Sequence, residues 1–225
     1  MERFIRIVML TGFAGLWVTS CDTAHTVAPV QDIGPVASTP AAAVQRLAWA
    51  FEHRDLEAVA GLLPENATFA SADVDSAGNV LSDDWTRPEL LEALGSMFYG
   101  VSGVSEPANV NFQLDRNLVA FADTRAGLDP RVHKTIRSGL DLRVFDPTQQ
   151  TTFEVTGQLA FYTPRGDSAT IPPERMAQGE RPDSTRWWIE RLEDDTIGDA
   201  AGRALPAVKP SLSWLLRFYR DRARR

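Results

Sequence analysis

The chain has 225 residues, of which 44% are hydrophobic and 24% are charged, and this combination predicts one globular domain with additional sequence at its ends. Its 23 basic and 30 acidic residues give a net charge of −7, so nucleic acid is not expected as a partner, because binding to a phosphate backbone depends on clustered cations. The single cysteine, Cys21, excludes an internal disulfide and any metal site built from several thiolates, and we expect no cofactor.

The first 21 residues have the organisation of an export signal. Arg3 and Arg6 precede an apolar run over residues 7–20, which is too short to cross a hydrocarbon core of about 30 Å as a helix. The run ends in the sequence VTSC, residues 18–21, which resembles the lipobox of bacterial lipoproteins. That resemblance implies lipidation of Cys21 and a protein anchored to the cell membrane, facing the periplasm or the exterior. The alternative is an ordinary secreted protein in which this thiol is incidental.

Residues 22–39 form the predicted tether between the anchor and the domain. The segment mixes Ala, Val, Thr and Pro without a helical or alternating period. Pro29 and Pro35 favour extended backbone, so we expect the tether to hold the domain away from the bilayer.

Residues 40–197 have the patterns of an α+β domain. Capping residues predict three helices, which begin after Thr39, Asp55 and Thr86, the last with Glu89 as the partner in a capping box. Apolar residues then alternate with polar ones, which is typical of an antiparallel sheet with one covered face. The predicted strands span residues 67–71, 110–114, 140–144, 153–161 and 186–192.

Two segments carry a resemblance to a known superfamily. The sequence AVQRLAWAFEHRDLEAVAGLLPENATF, residues 43–69, and the late RWWIERLEDD, residues 186–195, are similar in order and spacing to the nuclear transport factor two-like superfamily, which includes ketosteroid isomerases and SnoaL-like cyclases. The resemblance implies a cystatin-like cone, in which N-terminal helices pack on a curved antiparallel sheet. It does not imply one function, because this scaffold hosts enzymes, binding modules and assembly domains.

The resemblance also indicates which residues would carry isomerase chemistry. It places Leu47 where the isomerases have a tyrosine, Ser71 near the general base, and Leu159 or Gln158 near the buried acid. Leucine has no proton to transfer and serine at its ordinary pKa is a poor base, so steroid-type isomerisation is not expected. We expect instead an apolar cone lining, which includes Leu47, Phe51, Leu94, Phe98, Val155 and Leu159.

The last predicted strand, residues 186–192, brings a charge close to the covered face in either register. If the alternation runs inward through Trp187 and Ile189, it also brings Arg191 inward, whereas the opposite register brings Glu190 inward. Two interpretations stay open. The charge is either a participant in general acid–base chemistry inside the cone, or it lies at the rim of the sheet with its stem packed and its head in water.

Residues 73–84 match a calcium-binding loop in part. Asp73, Asp75 and Asp84 occupy positions 1, 3 and 12 of such a loop, and Gly78 occupies position 6, but position 5 is Ala77. The competing interpretation is a solvated turn rich in Asp, Ser and Gly.

The end of the chain reverses the charge of the domain. Residues 198–210 are interpreted as a second linker, and residues 211–225 as an amphipathic helix capped by Ser211. From Lys209 onward there are six cations and one anion, whereas residues 22–208 hold 15 cations and 28 anions. The pattern allows three positions for this helix: on anionic lipid headgroups, in the groove of a partner, or docked on its own domain.

The leading functional hypothesis is a non-enzymatic, membrane-anchored envelope lipoprotein whose cone binds a small apolar molecule or an envelope protein. The competing hypothesis is a SnoaL-like or dehydratase-like enzyme that uses general acid–base chemistry, with Glu190 or Arg191 as the charged participant. A third is an assembly subunit, for which the resemblance makes a homodimer reasonable. A sealed apolar interior favours the first hypothesis, and an open cavity with a buried carboxylate favours the second.

Overall fold

The computed structural model describes residues 34–74, 80–100, 107, 109–167, 171, 173–179, 181–196 and 210–224. Cys21, residues 22–33 of the predicted tether and residues 198–209 of the predicted linker lie outside these ranges. Lipidation of Cys21 therefore stays a prediction.

The helices begin where the sequence places their capping residues. Thr39 and Asp55 accept backbone N–H groups from the first turns of α1 and α2 at 3.0 and 2.8 Å. At α3, the Thr86 N–H donates to the Glu89 carboxylate at 2.8 Å. These bonds stabilise the helix starts because the first turn leaves backbone donors without intrahelical partners. The helices of the described residues are α1 Pro40–Glu52, α2 Leu56–Leu62, α3 Arg87–Tyr99, α4 Pro173–Ala177 and α5 Leu212–Ala223.

The described strands form one sheet in the order β2-β1-β8-β6-β5-β3, with β4 paired to β5 and β7 paired to β6. The predicted strands at 140–144 and 153–161 are the central parts of two long strands, because the alternation of buried and exposed residues continues beyond them. The strands are β1 Thr68–Val74, β2 Val80–Thr86, β3 Asn109–Leu114, β4 Ala120–Ala122, β5 His133–Asp146, β6 Thr151–Gly166, β7 Asp183–Trp187 and β8 Arg191–Asp194.

The sheet is mixed, whereas the sequence predicted a purely antiparallel one. β8 lies between β1 and β6 and pairs in parallel with β1, while its pairing with β6 is antiparallel. Strands joined by a hairpin have to be antiparallel, but β8 reaches β1 only after most of the domain has intervened, so either direction is open to it.

Helices and sheet share one hydrophobic core. α1 packs against β3, β5 and β6, and α3 packs against β1, β2 and α5. Along β5, Leu140, Leu142 and Val144 are buried in this core, whereas Arg137 and Arg143 of the same strand point to solvent on the other face. The domain is therefore α+β, with its helices packed on a sheet whose outer face is polar.

The chain that leads into α1 is fixed to the domain from Gly34 onward. The Pro35 carbonyl accepts a hydrogen bond from Arg46 at 2.9 Å, and the Ala37 carbonyl accepts the Trp187 N–H at 2.9 Å. Gly34 has a φ of +67°, and a Cβ there would lie 2.5 Å from the ring of Trp49. This contact requires glycine for its conformation and for its small size.

Candidate functional site

Where the structure describes it, the interior between the helices and the sheet is closely packed. A void of about 10 Å³ remains, which is no more than the space that one water molecule needs. Within the described residues its lining is apolar and includes Leu47, Phe51 and Leu94. The other residues expected in the lining belong to the same buried cluster: Phe98, Val155 and Leu159. This region is a packed core and not an open cavity.

The C-terminal helix α5 closes this interior. Leu212 and Leu216 line the small void together with core residues, and Leu215 and Tyr219 are buried beside them. Of the three positions that the sequence allows for this helix, the structure shows docking on its own domain. No helix in the described part of the chain is long and apolar enough to span a bilayer.

Asp194, at the end of β8, anchors the N-terminus of α5. Its carboxylate is 1% exposed and accepts hydrogen bonds from the N–H and the hydroxyl of Ser213, at 2.9 and 2.8 Å. The N–H and the hydroxyl of Thr196 donate to its other oxygen. The Thr196 hydroxyl oxygen in turn accepts the Leu212 N–H at 2.9 Å. A negative charge at this end of the helix also suits the helix dipole.

Burial raises the pKa of Asp194 above its ordinary value, and the hydrogen bonds from Thr196 and Ser213 oppose that rise without cancelling it. A buried carboxyl group of raised pKa is a common feature of general acids. Both oxygens of Asp194 are nevertheless occupied by donors of the chain itself. The group therefore serves to hold α5 and is not placed to transfer a proton to a ligand.

The other end of α5 is held by its cations. Arg222 Nη1 lies 3.6 Å from Oδ2 of Asp146, whose side chain is fully buried. Arg224 Nη2 lies 2.7 Å from Oε2 of Glu92 on α3. The basic end of the sequence thus finds acidic partners in the domain to which it is joined.

The predicted strand at 186–192 is broken into β7 and β8. The Trp187 N–H donates to the Ala37 carbonyl and the Ile189 N–H to the Leu62 carbonyl, so these residues bond to segments outside the sheet. Both Ile189 and Leu192 reach the core, although a regular strand would point them to opposite faces. The expectation of one register through the whole segment is wrong because this break shifts the alternation.

As a result, neither charged candidate of that segment faces the interior. Glu190 Oε1 lies 3.8 Å from Arg125 Nη1, and Arg191 Nε donates to Glu193 at 2.8 Å. All four side chains are partly exposed, with 28–36% of their surface open to solvent. They form ion pairs at the outer surface, which is the rim interpretation of this charge.

The structure does contain a buried acid, Asp194, but it lies on the strand next to the position where the resemblance suggested one. Leu159 on β6 and Ser71 on β1 both lie directly opposite Asp194 on β8, and both are buried. Gln158, the other candidate, is exposed on the outer face of β6. Sequence reasoning missed Asp194, although a signal exists: an inward Leu192 places the residue two positions later inward as well.

The residues of the calcium hypothesis are described only in part. Asp75 lies outside the described residues. Asp73 on β1 lies opposite Leu81, and Asp84 on β2 lies opposite Ala70, which separates the two aspartates by three positions, roughly 10 Å along the hairpin. Among the described residues, no three His, Cys, Asp or Glu side chains form a group that could hold a metal ion. Calcium binding stays a prediction that titration would test.

Open pockets of the described surface lie outside the core. One of about 460 Å³ is bounded by α1, α2 and β7 and has charges of both signs in its lining, among them Arg46, Asp55 and Arg186. Another of about 250 Å³ lies where β4, β5 and β6 meet, beside Tyr162. The polar lining of both pockets contrasts with the apolar interior.

No protein-family model matches the chain, and no curated protein matches it in sequence. Similar solved structures include a protein of unknown function from Mycobacterium tuberculosis, at 15% identity and a TM-score of 0.48, with 81% of this chain and 87% of that chain covered. A nuclear transport factor 2-like superfamily protein from Salmonella enterica has 11% identity and a TM-score of 0.42, covering 73% and 89%. A ketosteroid isomerase-like protein from Erwinia carotovora atroseptica has 17% identity and a TM-score of 0.40, covering 68% and 89%. These are similarities of fold alone.

Proposed function

We propose that the protein is a lipid-anchored component of the cell envelope that acts by binding and not by catalysis. The observation that supports this proposal is the packed interior of the described residues, where the lining is apolar and the void of about 10 Å³ is too small for a substrate. General acid–base catalysis needs a proton donor or acceptor at the reacting atoms. The two charged candidates for that role, Glu190 and Arg191, are paired on the outer surface with Arg125 and Glu193.

Binding on the outside of the domain fits the structure better than binding inside it. A small apolar ligand in the cone would have to replace Leu212 and Leu216, which line the remaining void. It would also break the buried hydrogen bonds between Asp194 and Ser213, at a cost of about 1–3 kcal/mol for each buried group left unpaired. An envelope protein or a small molecule that binds the outer surface requires neither change.

The anchor is tested by comparing the full chain with Cys21→Ser. We expect the wild-type protein to incorporate a labelled fatty acid and to sediment with membranes. The Cys21→Ser variant should incorporate no label and stay in the supernatant. Thr26→Ala, within the tether, is the control that should keep both properties. Equal sedimentation of wild type and Cys21→Ser, without label in either, would remove the anchor from the proposal.

The filled cone is tested by native mass spectrometry of the protein extracted from its source membranes. We expect a mass that includes the acyl chains and no tightly held apolar small molecule, together with slow amide hydrogen exchange over residues 212–223. A stoichiometric apolar molecule whose removal changes exchange in that helix would show that the cone is the binding site. The same spectrum reports whether the protein is a homodimer or carries another envelope protein.

A further inference from the structure

The outer face of the sheet carries a slot with two aromatic walls. Phe121 on β4, Thr135 on β5 and Tyr162 on β6 lie directly opposite one another across the three strands. Neighbouring strands are about 4.8 Å apart, so the two aromatic residues are separated by about 10 Å, with the smaller threonine between them. Together with their neighbours they line the pocket of about 250 Å³.

The Tyr162 wall of this slot is held in place by fixed contacts. The guanidinium carbon of Arg125 lies over the Tyr162 ring, 4.4 Å from its centroid. Asp123, with a side chain that is 1% exposed, accepts hydrogen bonds from Arg125 at 2.7 and 2.9 Å. The Tyr162 hydroxyl donates to Glu193 at 2.8 Å. Since these groups are already ordered, a ligand would lose little affinity to the ordering of side chains.

Three polar side chains in the lining of the slot, Thr124, Thr135 and Arg137, form no hydrogen bond or ion pair among the described residues. Arg137 follows Thr135 on the same face of β5, and the residue opposite it on β6 is Ala160, which offers no charge. No hydrogen bond or ion pair of the described residues involves the Arg137 guanidinium or the hydroxyls of Thr124 and Thr135. Unused donors therefore point into a preformed pocket.

We propose that this slot binds a small planar aromatic carboxylate. Phe121, which is 62% exposed, offers one stacking face, and the guanidinium of Arg125 over Tyr162 offers another. Arg137 supplies a fork of N–H donors that matches a carboxylate. Arg125 is paired with Asp123 in the lining and with Glu190 outside it, so Arg137 is the cation of the lining that is left for a ligand carboxylate. The slot lies outside the cone, so its ligand is independent of what the cone does.

Calorimetric titration of the protein with benzoate and 2-naphthoate tests this assignment. Benzamide and cyclohexanecarboxylate serve as the uncharged and the non-aromatic analogues. We expect one aromatic acid to bind per chain in a saturable manner, with a Kd about tenfold or more below that of either analogue. Equal affinity for benzoate and benzamide would overturn the proposal. The same holds if neither benzoate nor 2-naphthoate shows saturable binding.

Variants of exposed residues locate the binding. Arg137→Gln and Phe121→Ala are each expected to weaken benzoate binding by about tenfold or more. Arg143→Gln is the matched control, because Arg143 lies on the same face of β5 but pairs with Asp141 and Glu154. It should bind within about twofold of wild type. Equal weakening by Arg137→Gln and Arg143→Gln would mean that the aromatic acid binds by surface charge alone and would also overturn the proposal.

Discussion

The carboxylate of Asp194 accepts hydrogen bonds at both oxygens, from Thr196 at Oδ1 and from Ser213 at Oδ2. An amide at the same place has one acceptor oxygen and one donor NH2 group, so it cannot serve both partners. The side chain is therefore specified by hydrogen bonding as well as by size.

Asp194→Asn should lower the free energy of unfolding by about 1–3 kcal/mol, because the amide nitrogen would face the donors of Thr196 or of Ser213. Urea denaturation at neutral pH measures the change. Asp195→Asn, at the adjacent exposed position, is the control and should stay within about 0.5 kcal/mol of wild type. An Asp194→Asn protein as stable as wild type would mean that this carboxylate does not anchor α5.

The difference in stability between wild type and Asp194→Asn should depend on pH, and the sign of this dependence follows from the pKa shift. Burial raises the pKa of Asp194 in the folded state above its ordinary value of 3.8, so the folded protein holds this proton more strongly than the unfolded chain. The contribution of Asp194 to stability is thus greatest below that ordinary value and declines as the pH rises through the folded-state pKa. The stability difference between wild type and Asp194→Asn should shrink from about pH 4 to pH 7 in urea denaturation. A difference that grows with pH would show that the hydrogen bonds outweigh burial.

Two arginines of α5 allow a comparison between buried and exposed ion pairs. Arg222→Ala leaves the fully buried Asp146 without its cation, and we expect a loss of about 2 kcal/mol. Arg224→Ala removes a more exposed pair with Glu92 and should cost less than about 1 kcal/mol. Equal losses in chemical denaturation would contradict this difference in burial.

At the scale of elements, the sequence predicts best what is decided locally. Thr39, Asp55 and Thr86 start helices because a capping side chain acts on the turn that follows it. The break between β7 and β8 has no such local cause. It depends on carbonyls of Ala37 and Leu62, which lie more than a hundred positions earlier in the chain.

For the interior of the domain, the sequence predicts which residues face the core but not what packs against the C-terminal helix. Helical spacing indicates that Leu47 and Phe51 face the core, and the structure buries both. The charge pattern of the C-terminal helix does not identify its partner, since lipid headgroups and an acidic domain attract the same arginines. The carboxylates that pair with these arginines belong to Asp146 and Glu92, which come close to the helix only in the folded chain.

Leu216→Ala tests how α5 packs. Leu216 is 1% exposed and lines the small void of the core, so we expect a loss of about 2–5 kcal/mol in the free energy of unfolding. Asp221→Ala, on the exposed side of the same helix, should change stability by less than about 0.5 kcal/mol. A loss below about 1 kcal/mol for Leu216→Ala would mean that the helix contributes little to the core.

For the whole molecule, α5 is as much a part of the core as the helices before the sheet. Removal of residues 210–225 deletes buried apolar side chains worth about 1.5–3 kcal/mol each, a total comparable with the whole stability of a domain. We expect the truncated protein to lose cooperative thermal unfolding in circular dichroism and to bind a dye for exposed apolar surface. Cooperative unfolding at an unchanged temperature would contradict this. The deleted buried side chains are Leu212, Leu215, Leu216 and Tyr219.

The position of β8 between β1 and β6 affects how the chain is made as well as how it is held. Thr68 pairs with Arg191, so an edge of β1 stays open until the late part of the chain has been synthesised. Contacts over such sequence distances form slowly, and α5 is added after them. Synthesis that stops before residue 191 therefore leaves a chain with an unsatisfied strand edge, and synthesis that stops before residue 212 leaves an uncovered core. Either product is open to proteases and to aggregation.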